Sequence, residues 1–417
     1  MFKRFGLCLS LLLALNVCAQ DAAWYRGNLH MHTFWSDGQV FPEEAVEYYR
    51  SRGYQFLCVS DHNLLQLSTE NWQEIGKKVT PKAAEQYLKA FGDTADKKTE
   101  GDKEFLRLKT IGELKKQFDK DGAFLLVPSQ EINRSISGIE VHMNAINISR
   151  TFTFERSEII NEAFEKNEKA VSAHGENTLF MLNHPFWRYF DIQPDTLIAL
   201  PQIRFFELYN GGPSFKPHPD WYSLEKFWDI VNAFRISAGH PPVYGVATDD
   251  THGYNNHIFH GWVYVRSQKL DCDALIQAMK RGDFYSSSGV VLKDVKFDAA
   301  AGTLTVEVDP KADETYEIAF IVTRADFDRA TTEFDDPVDD KKPARKGLKY
   351  SDTIGVTAKK VEGTSASYTM QPEDLYVRAT ITSSKQMVRP ALCGPFVETA
   401  WTQPYGWQQW QQRNQKK

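Results

Sequence analysis

The chain has 417 residues, two to three times the usual domain length of about 150, so a barrel-sized domain with a smaller companion is expected and a single small module is excluded. Its formal charge of −6, from 49 Lys+Arg against 55 Asp+Glu, comes without a long block of either sign, which leaves no footprint for binding duplex DNA or RNA. With 42% hydrophobic and 25% charged residues it can bury a sizeable core and is neither disordered nor fibrous.

At the amino terminus, Lys3 and Arg4, the apolar run Leu7–Val17 and the small residues before Gln20 read as a secretory signal over residues 1–19. The run is shorter than the ~20 residues that span a bilayer, so an exported chain, periplasmic or extracellular and without a transmembrane helix, is expected. Val17 is larger than the residue that bacterial lipoprotein sites usually hold before their cysteine, which argues against a lipid anchor at Cys18. Cleavage leaves Cys58, Cys272 and Cys393, too few and scattered for a disulfide framework.

From about 24 to 290, short apolar runs alternate with amphipathic stretches, the pattern of an α/β domain. Phe41-Pro42-Glu43-Glu44 opens a helix that Gly53 closes, residues 70–121 read as a largely helical Lys/Glu-rich insertion, and 155–172 and 220–236 as further helices. Residues 291–400 hold alternating runs such as Leu304–Val308, Ile318–Val322 and Tyr376–Ile381, the signal of a small all-β, sandwich-like domain, and 401–417 read as a tail.

The chemistry lies where His, Asp and Glu fall relative to the apolar runs. His30-x-His32 places two imidazoles on one face of a strand. Ser36-Asp37-Gly38 follows as a turn with a carboxylate, and apolar strands then end in Asp61-His62-Asn63, in Glu131, in Asn183-His184-Pro185, in Glu207-Leu208-Tyr209-Asn210 and in Asp249-Asp250-Thr251-His252. The stretch between Glu131 and His142 is too short for the dozen or so residues of a parallel crossover, so a hairpin is expected, with Glu131 just past its strand and His142 early in the next. Six histidines (His30, His32, His62, His142, His184, His252) and three carboxylates (Asp37, Glu131, Asp250) would thus collect at one rim of a barrel, where barrel enzymes keep their sites. Imidazole with carboxylate and no thiolate suits Zn, Mn or Fe in hydrolytic sites. Nine donors exceed the needs of one ion and imply two or three divalent transition-metal ions sharing a bridging carboxylate.

These motifs, in this order, resemble the full motif set of the PHP (polymerase and histidinol phosphatase) superfamily over residues 24–290. The resemblance implies a distorted (β/α)7 barrel with a trinuclear site: His30, His32, Glu131 and Asp250 around one ion, Glu131, His142 and His184 around a second, and Asp37, His62 and His252 around a third. The signal segment, the insertion and the β-rich C-terminal part are more similar to the exported branch with carbaryl-hydrolase-like metallohydrolases than to cytoplasmic histidinol phosphatases.

The function expected is that of an exported metal-dependent hydrolase of a small-molecule substrate, foremost a phosphoesterase using a metal-bridging hydroxide, with Glu131, Asp250 and His252 as the catalytic ligands. Arg134 and Arg188 directly follow ligand segments and would clamp a phosphate. Asn210, His257 and His260 would line the mouth, as would Glu207 and Tyr209. Asp61 and Asn183 would orient ligands, His174 is structural or solvated, and His218 and His240 lie on loops of unassigned side. An ester or carbamate hydrolase is the alternative, with an apolar pocket permitted by Phe34, Trp35, Phe186 and Trp187. A non-catalytic metal- or ligand-binding periplasmic protein is the second.

Overall fold

The computed structural model describes residues 22–187, 191–212, 222–254, 258–336, 345–387 and 396–414. The expected signal segment with Cys18, together with Arg188, His218, His257 and Cys393, lies outside them. Among the described residues no helix is long and apolar enough to cross a membrane.

Seven strands lie side by side in the main sheet: in sheet order Tyr244–Thr248, Phe205–Asn210, Leu179–Leu182, Ile139–Ile146, Leu125–Ile136, Phe56–Val59 and Ala23–Asn28. Ile139–Ile146 runs antiparallel to both its neighbours, and the other pairs are parallel. Beyond the ends of the first and last of these strands, Met31 bridges Thr251, with the His32 amide donating to the Thr251 carbonyl at 2.9 Å. The strands are apolar on both sides for a reason visible in Phe56–Val59. Phe56 and Cys58 pack with Val127, Met181, Phe205 and Val246, whereas Leu57 and Val59 face Leu126, Leu182 and Phe206 on the opposite side.

The hairpin between Glu131 and His142 forms as the spacing requires, through a two-residue turn at Ser137-Gly138 with φ of 50° and 79°. Such left-handed pairs match the twist of a tight hairpin, and glycine takes the second position without cost. Glu131 itself lies inside its strand, which runs on to Ile136 because the antiparallel partner supplies hydrogen bonds past the rim. The helices Pro42–Arg50, Ile160–Ser172 and Leu224–Ser237 fill three connections.

The insertion is mixed rather than largely helical. Helices Pro81–Phe91 and Ile111–Phe118 accompany an antiparallel sheet ordered Trp72–Glu74, Lys103–Arg107, Lys97–Glu100. Its lysines and glutamates pair across strands, as Lys103 with Glu74 at 3.2 Å, so charge disguises the alternation. Val79, Ala84, Tyr87, Leu106 and Leu108 enclose Phe34, Trp35 and Phe41 in a small separate core.

The C-terminal strands are not a free-standing sandwich. Trp262–Ser267 and Phe284–Ser287 continue the main sheet, and Val397–Thr402, Asp374–Gln386, Tyr316–Arg324 and Val356–Glu362 extend it to thirteen strands. Leu292–Asp298, Thr303–Val308 and Ser365–Thr369 form a second sheet, whose Val295, Leu304 and Val306 pack with Phe320, Val377 and Ile381 of the first. The expected tail from 401 instead completes the Val397–Thr402 strand and adds the helix Trp407–Asn414, where Gln411 Nε2 donates to the His240 carbonyl at 2.8 Å.

A buried ion pair joins this part to the helix Leu224–Ser237. Arg378 donates to Asp229 through Nε at 2.8 Å and Nη2 at 2.6 Å, Tyr376 donates to the same carboxylate at 2.7 Å, and all three are buried. Removing one charge of such a pair strands the other in low dielectric. Arg378→Met is expected to destabilise the chain by about 3–5 kcal/mol, and adding Asp229→Leu should restore much of that loss. Denaturant unfolding of both variants measures it; a single-variant loss below about 1 kcal/mol would show that the pair does not hold the junction.

Candidate metal centre

All nine expected donors converge where the seven strands end. His30 and His32 follow the first strand, on the same face as period 2 demands. Both rings are fully buried. Their Nε2 atoms stand 3.1 Å apart, Glu131 Oε2 lies 3.4 and 3.5 Å from them, and Asp250 Oδ1 lies 3.2 and 3.1 Å from them. Glu131 Oε1 faces the other way, 3.0 Å from His142 Nδ1 and 3.4 Å from His184 Nε2. Asp37 Oδ2 lies 3.5 Å from His62 Nε2 and 3.3 Å from His252 Nε2, with His32 Nδ1 at 3.7 Å from Oδ1. Three groups of donors therefore each stand within 4.8 Å of one another: His30, His32 and Glu131; Glu131, His142 and His184; and His32, Asp37, His62 and His252.

These spacings fit divalent ions. A tetrahedral ion with bonds of ~2.0–2.2 Å sets its donors ~3.3–3.6 Å apart, and the innermost group already stands at 3.1–3.5 Å. Exposure grades outward: the side chains of Glu131 and Asp250 are 1% and 2% exposed, against 56% for Asp37.

A layer of buried polar groups holds the donors in place. Glu207 is the most connected. Its carboxylate lies 2.7 Å from His30 Nδ1 and accepts from the His184 amide, Thr248 Oγ1 and Asn210 Nδ2. Sequence reading gave Glu207 only a place in the mouth. A carboxylate set within the apolar strand Phe205–Asn210 was the signal that it had to serve a buried partner. Asn210 likewise is buried and donates to Asp250 Oδ2 at 3.2 Å, a support for the carboxylate rather than a substrate contact. Asn183 donates to Glu131 Oε1 at 2.8 Å. Asp249, also missed, accepts from Tyr49 Oη and from the amides of Phe259, His260 and Gly261. It anchors the chain beside Asp250, which holds a left-handed φ of 49°.

Other expected residues fall elsewhere. Arg134 is exposed, and strand alternation puts it on the face of Ile132 and Ile136, opposite Glu131. It does not clamp a ligand at this rim. Phe34 and Trp35 are buried in the insertion's core and Phe186 packs edge-on to Phe227, so of the four aromatics only Trp187 stands beside a donor, 4.7 Å from His184. His260 reaches Asp249 through its amide and lies against Gly211. His174 meets Ser149, and His240 precedes the strand whose far end carries Asp250.

The charges are mutually sustaining. Burial opposes ionisation of Glu131, but His62, His30 and His142 hold its carboxyl well below the usual range. Burial would lower the imidazoles, yet Glu131 and Asp37 raise His62 to about 10, Glu131 raises His142 to about 9, and Asp37 and Asp250 raise His252 to about 9.

No family model matches the chain. No curated protein matches it by sequence. Among solved structures, a two-domain protein from Bacteroides vulgatus containing a predicted PHP-like metal-dependent phosphoesterase is 14% identical, with 91% of this chain and 95% of that one covered and a TM-score of 0.40. A protein from Bifidobacterium adolescentis whose metal-dependent phosphoesterase activity is inferred is 16% identical (54% and 87% covered, TM-score 0.26), and an amidohydrolase from Chromobacterium violaceum with bound sulfate and no metal is 12% identical (55% and 89%, TM-score 0.29). Likenesses this distant assign no activity to the chain, whose chemistry is read from its own side chains.

Two outcomes are expected. Coordination requires unprotonated imidazole, and His62, His142 and His252 carry protons below about 9–10. Zn2+ uptake should therefore release protons at neutral pH and tighten as pH rises toward that range. Calorimetry in buffers of different ionisation enthalpy reads the release, and its absence would remove these rings from the donor set. Separately, Glu207→Gln should weaken metal affinity by about tenfold to a hundredfold with the fold retained; chelator competition giving wild-type affinity would show that Glu207 does not orient His30.

Proposed function

We propose that the protein is an exported metal-dependent hydrolase acting on phosphate esters, with the seven strands forming the distorted (β/α)7 barrel of the PHP type. The observation that carries this reading is the division of Glu131: Oε1 faces His142 and His184, Oε2 faces His30, His32 and His62. A carboxylate so placed serves two positions at once, as a bridging ligand does. His30, His32, Glu131 and Asp250 would hold one ion, Glu131, His142 and His184 a second, and Asp37, His62 and His252 a third. Divalent ions bound there supply an acidified water and a Lewis acid for an ester oxygen.

The chain's own groups do the positioning. Glu207 fixes the ring of His30, Asn183 and Asn210 aim Glu131 and Asp250, and the half-exposed group of Asp37, His62 and His252 forms the side from which substrate approaches. Phosphate rather than carbonyl esters are favoured because the apolar pocket that a neutral ester needs loses Phe34, Trp35 and Phe186 to the cores. Among the described residues, Trp187 stays beside His184, and the outer donors Asp37, His62 and His252 are charged. The Lys3-Arg4 and Leu7–Val17 pattern supports export.

Metal-loaded protein should hydrolyse aryl phosphate mono- or diesters well above aryl esters and carbamates. Glu131→Gln should lower that turnover by at least ~100-fold while the circular-dichroism spectrum stays unchanged. Ester or carbamate turnover with negligible phosphoester turnover would replace this reading, and near-normal activity of Glu131→Gln would end the bridging role.

A further inference from the structure

The insertion over 70–121 contributes no donor to the three groups, yet its core is built on the loop that carries one. Phe34 and Trp35, just before Asp37, are enclosed by Val79, Ala84, Tyr87, Leu106 and Leu108, and Trp35 Nε1 donates to the Lys109 carbonyl at 2.9 Å. From the same insertion Lys78 reaches back to the loop. Its Nζ donates to the Phe34 carbonyl at 2.7 Å and to the Ser36 carbonyl, the last before Asp37.

Asp61 holds the loop independently. This buried carboxylate accepts from the Thr33 amide at 2.8 Å, from Thr33 Oγ1 at 2.9 Å and from Ser36 Oγ at 2.6 Å. The Gln39 amide donates to the His252 carbonyl at 3.0 Å, tying the loop's far end to the segment that bears another donor. The turn is thus gripped by a carboxylate that takes its donors and an ammonium that takes its acceptors. Asp37 needs that grip more than the other carboxylates do. Glu131 and Asp250 are fixed by burial, whereas the Asp37 side chain is 56% exposed and depends on its backbone for aim.

We propose that Lys78 is a positioning residue for the outermost metal position: the insertion, through this ammonium as well as its core, sets Asp37 against His62 and His252 and so governs retention of the most exposed ion. The inference rests on the metal-centre reading above. Charge-assisted hydrogen bonds to two carbonyls of one turn restrict it more than neutral contacts would, and a group that orients a ligand controls affinity without touching the metal.

Stepwise Zn2+ affinities of the full chain, measured by competition with a chromophoric chelator, test it together with hydrogen exchange of the metal-free protein. Lys78→Met is expected to weaken the weakest-held Zn2+ by about tenfold to a hundredfold, to leave tighter ions unchanged, and to speed exchange at the amides of Phe34, Ser36 and Gln39. Lys78→Arg should restore most of both effects. In an Asp37→Asn background, Lys78→Met should have no further effect on Zn2+. Unchanged stepwise affinities in Lys78→Met, or an equal loss in the Asp37→Asn background, would overturn the inference and leave the metal centre standing. A wild-type chain that binds no Zn2+ would instead sink the metal-centre reading, and this role with it.

Discussion

Glu131 is an ionised carboxylate buried to 1% exposure, and the arrangement of the site follows from what keeps it charged. Taking a carboxylate out of water costs several kcal/mol unless opposite charge and hydrogen bonds compensate. Here His30, His62 and His142, arriving from separate strands, supply that compensation, and Asn183 donates a hydrogen bond to Oε1. The antiparallel hairpin is part of the same solution. It returns the chain so that His142 sits opposite Asn133, two positions beyond Glu131 on the same face, which a parallel crossover of that length cannot do.

Around that carboxylate the polar groups are ordered by depth. Glu207, Asn210 and Asp249 are almost wholly buried, and each holds or adjoins a donor through hydrogen bonds that leave its side chain little rotational freedom. The inner donors inherit that rigidity. Asp37 and His62, nearer solvent, are set by loops, and the loop of Asp37 takes its shape from a structure added between two strands of the main sheet. A centre of this kind is held most firmly where it is buried and least firmly where it meets solvent.

Much of this was legible in the residue order. Period 2 placed His30 and His32 together, and the short Glu131-to-His142 spacing required the hairpin that formed. The same periodicity, carried three residues past Glu131, would have turned Arg134 away from the rim; proximity in sequence was the misleading cue. Glu207 was underrated because one acid among Phe205, Phe206, Leu208 and Tyr209 resembles a strand terminus when its partner, His30, lies 177 positions away. The insertion's short strands were hidden by lysines and glutamates that satisfy each other across the sheet. The joint between the donor-bearing strands and the C-terminal strands was illegible, since strand pairing at residues 285–287 with 400–402 leaves no local mark.

That joint bears on how the molecule is assembled in time. Every donor has been made once His252 is synthesised, but the strand Phe284–Ser287 has a free edge until Val397–Thr402, near the end of the chain, pairs with it. A chain stopped at the apparent boundary near 290 would present unpaired backbone groups, an invitation to edge-to-edge aggregation. The sheet that carries the donors therefore continues past Phe284–Ser287 only once the last of its described strands is made.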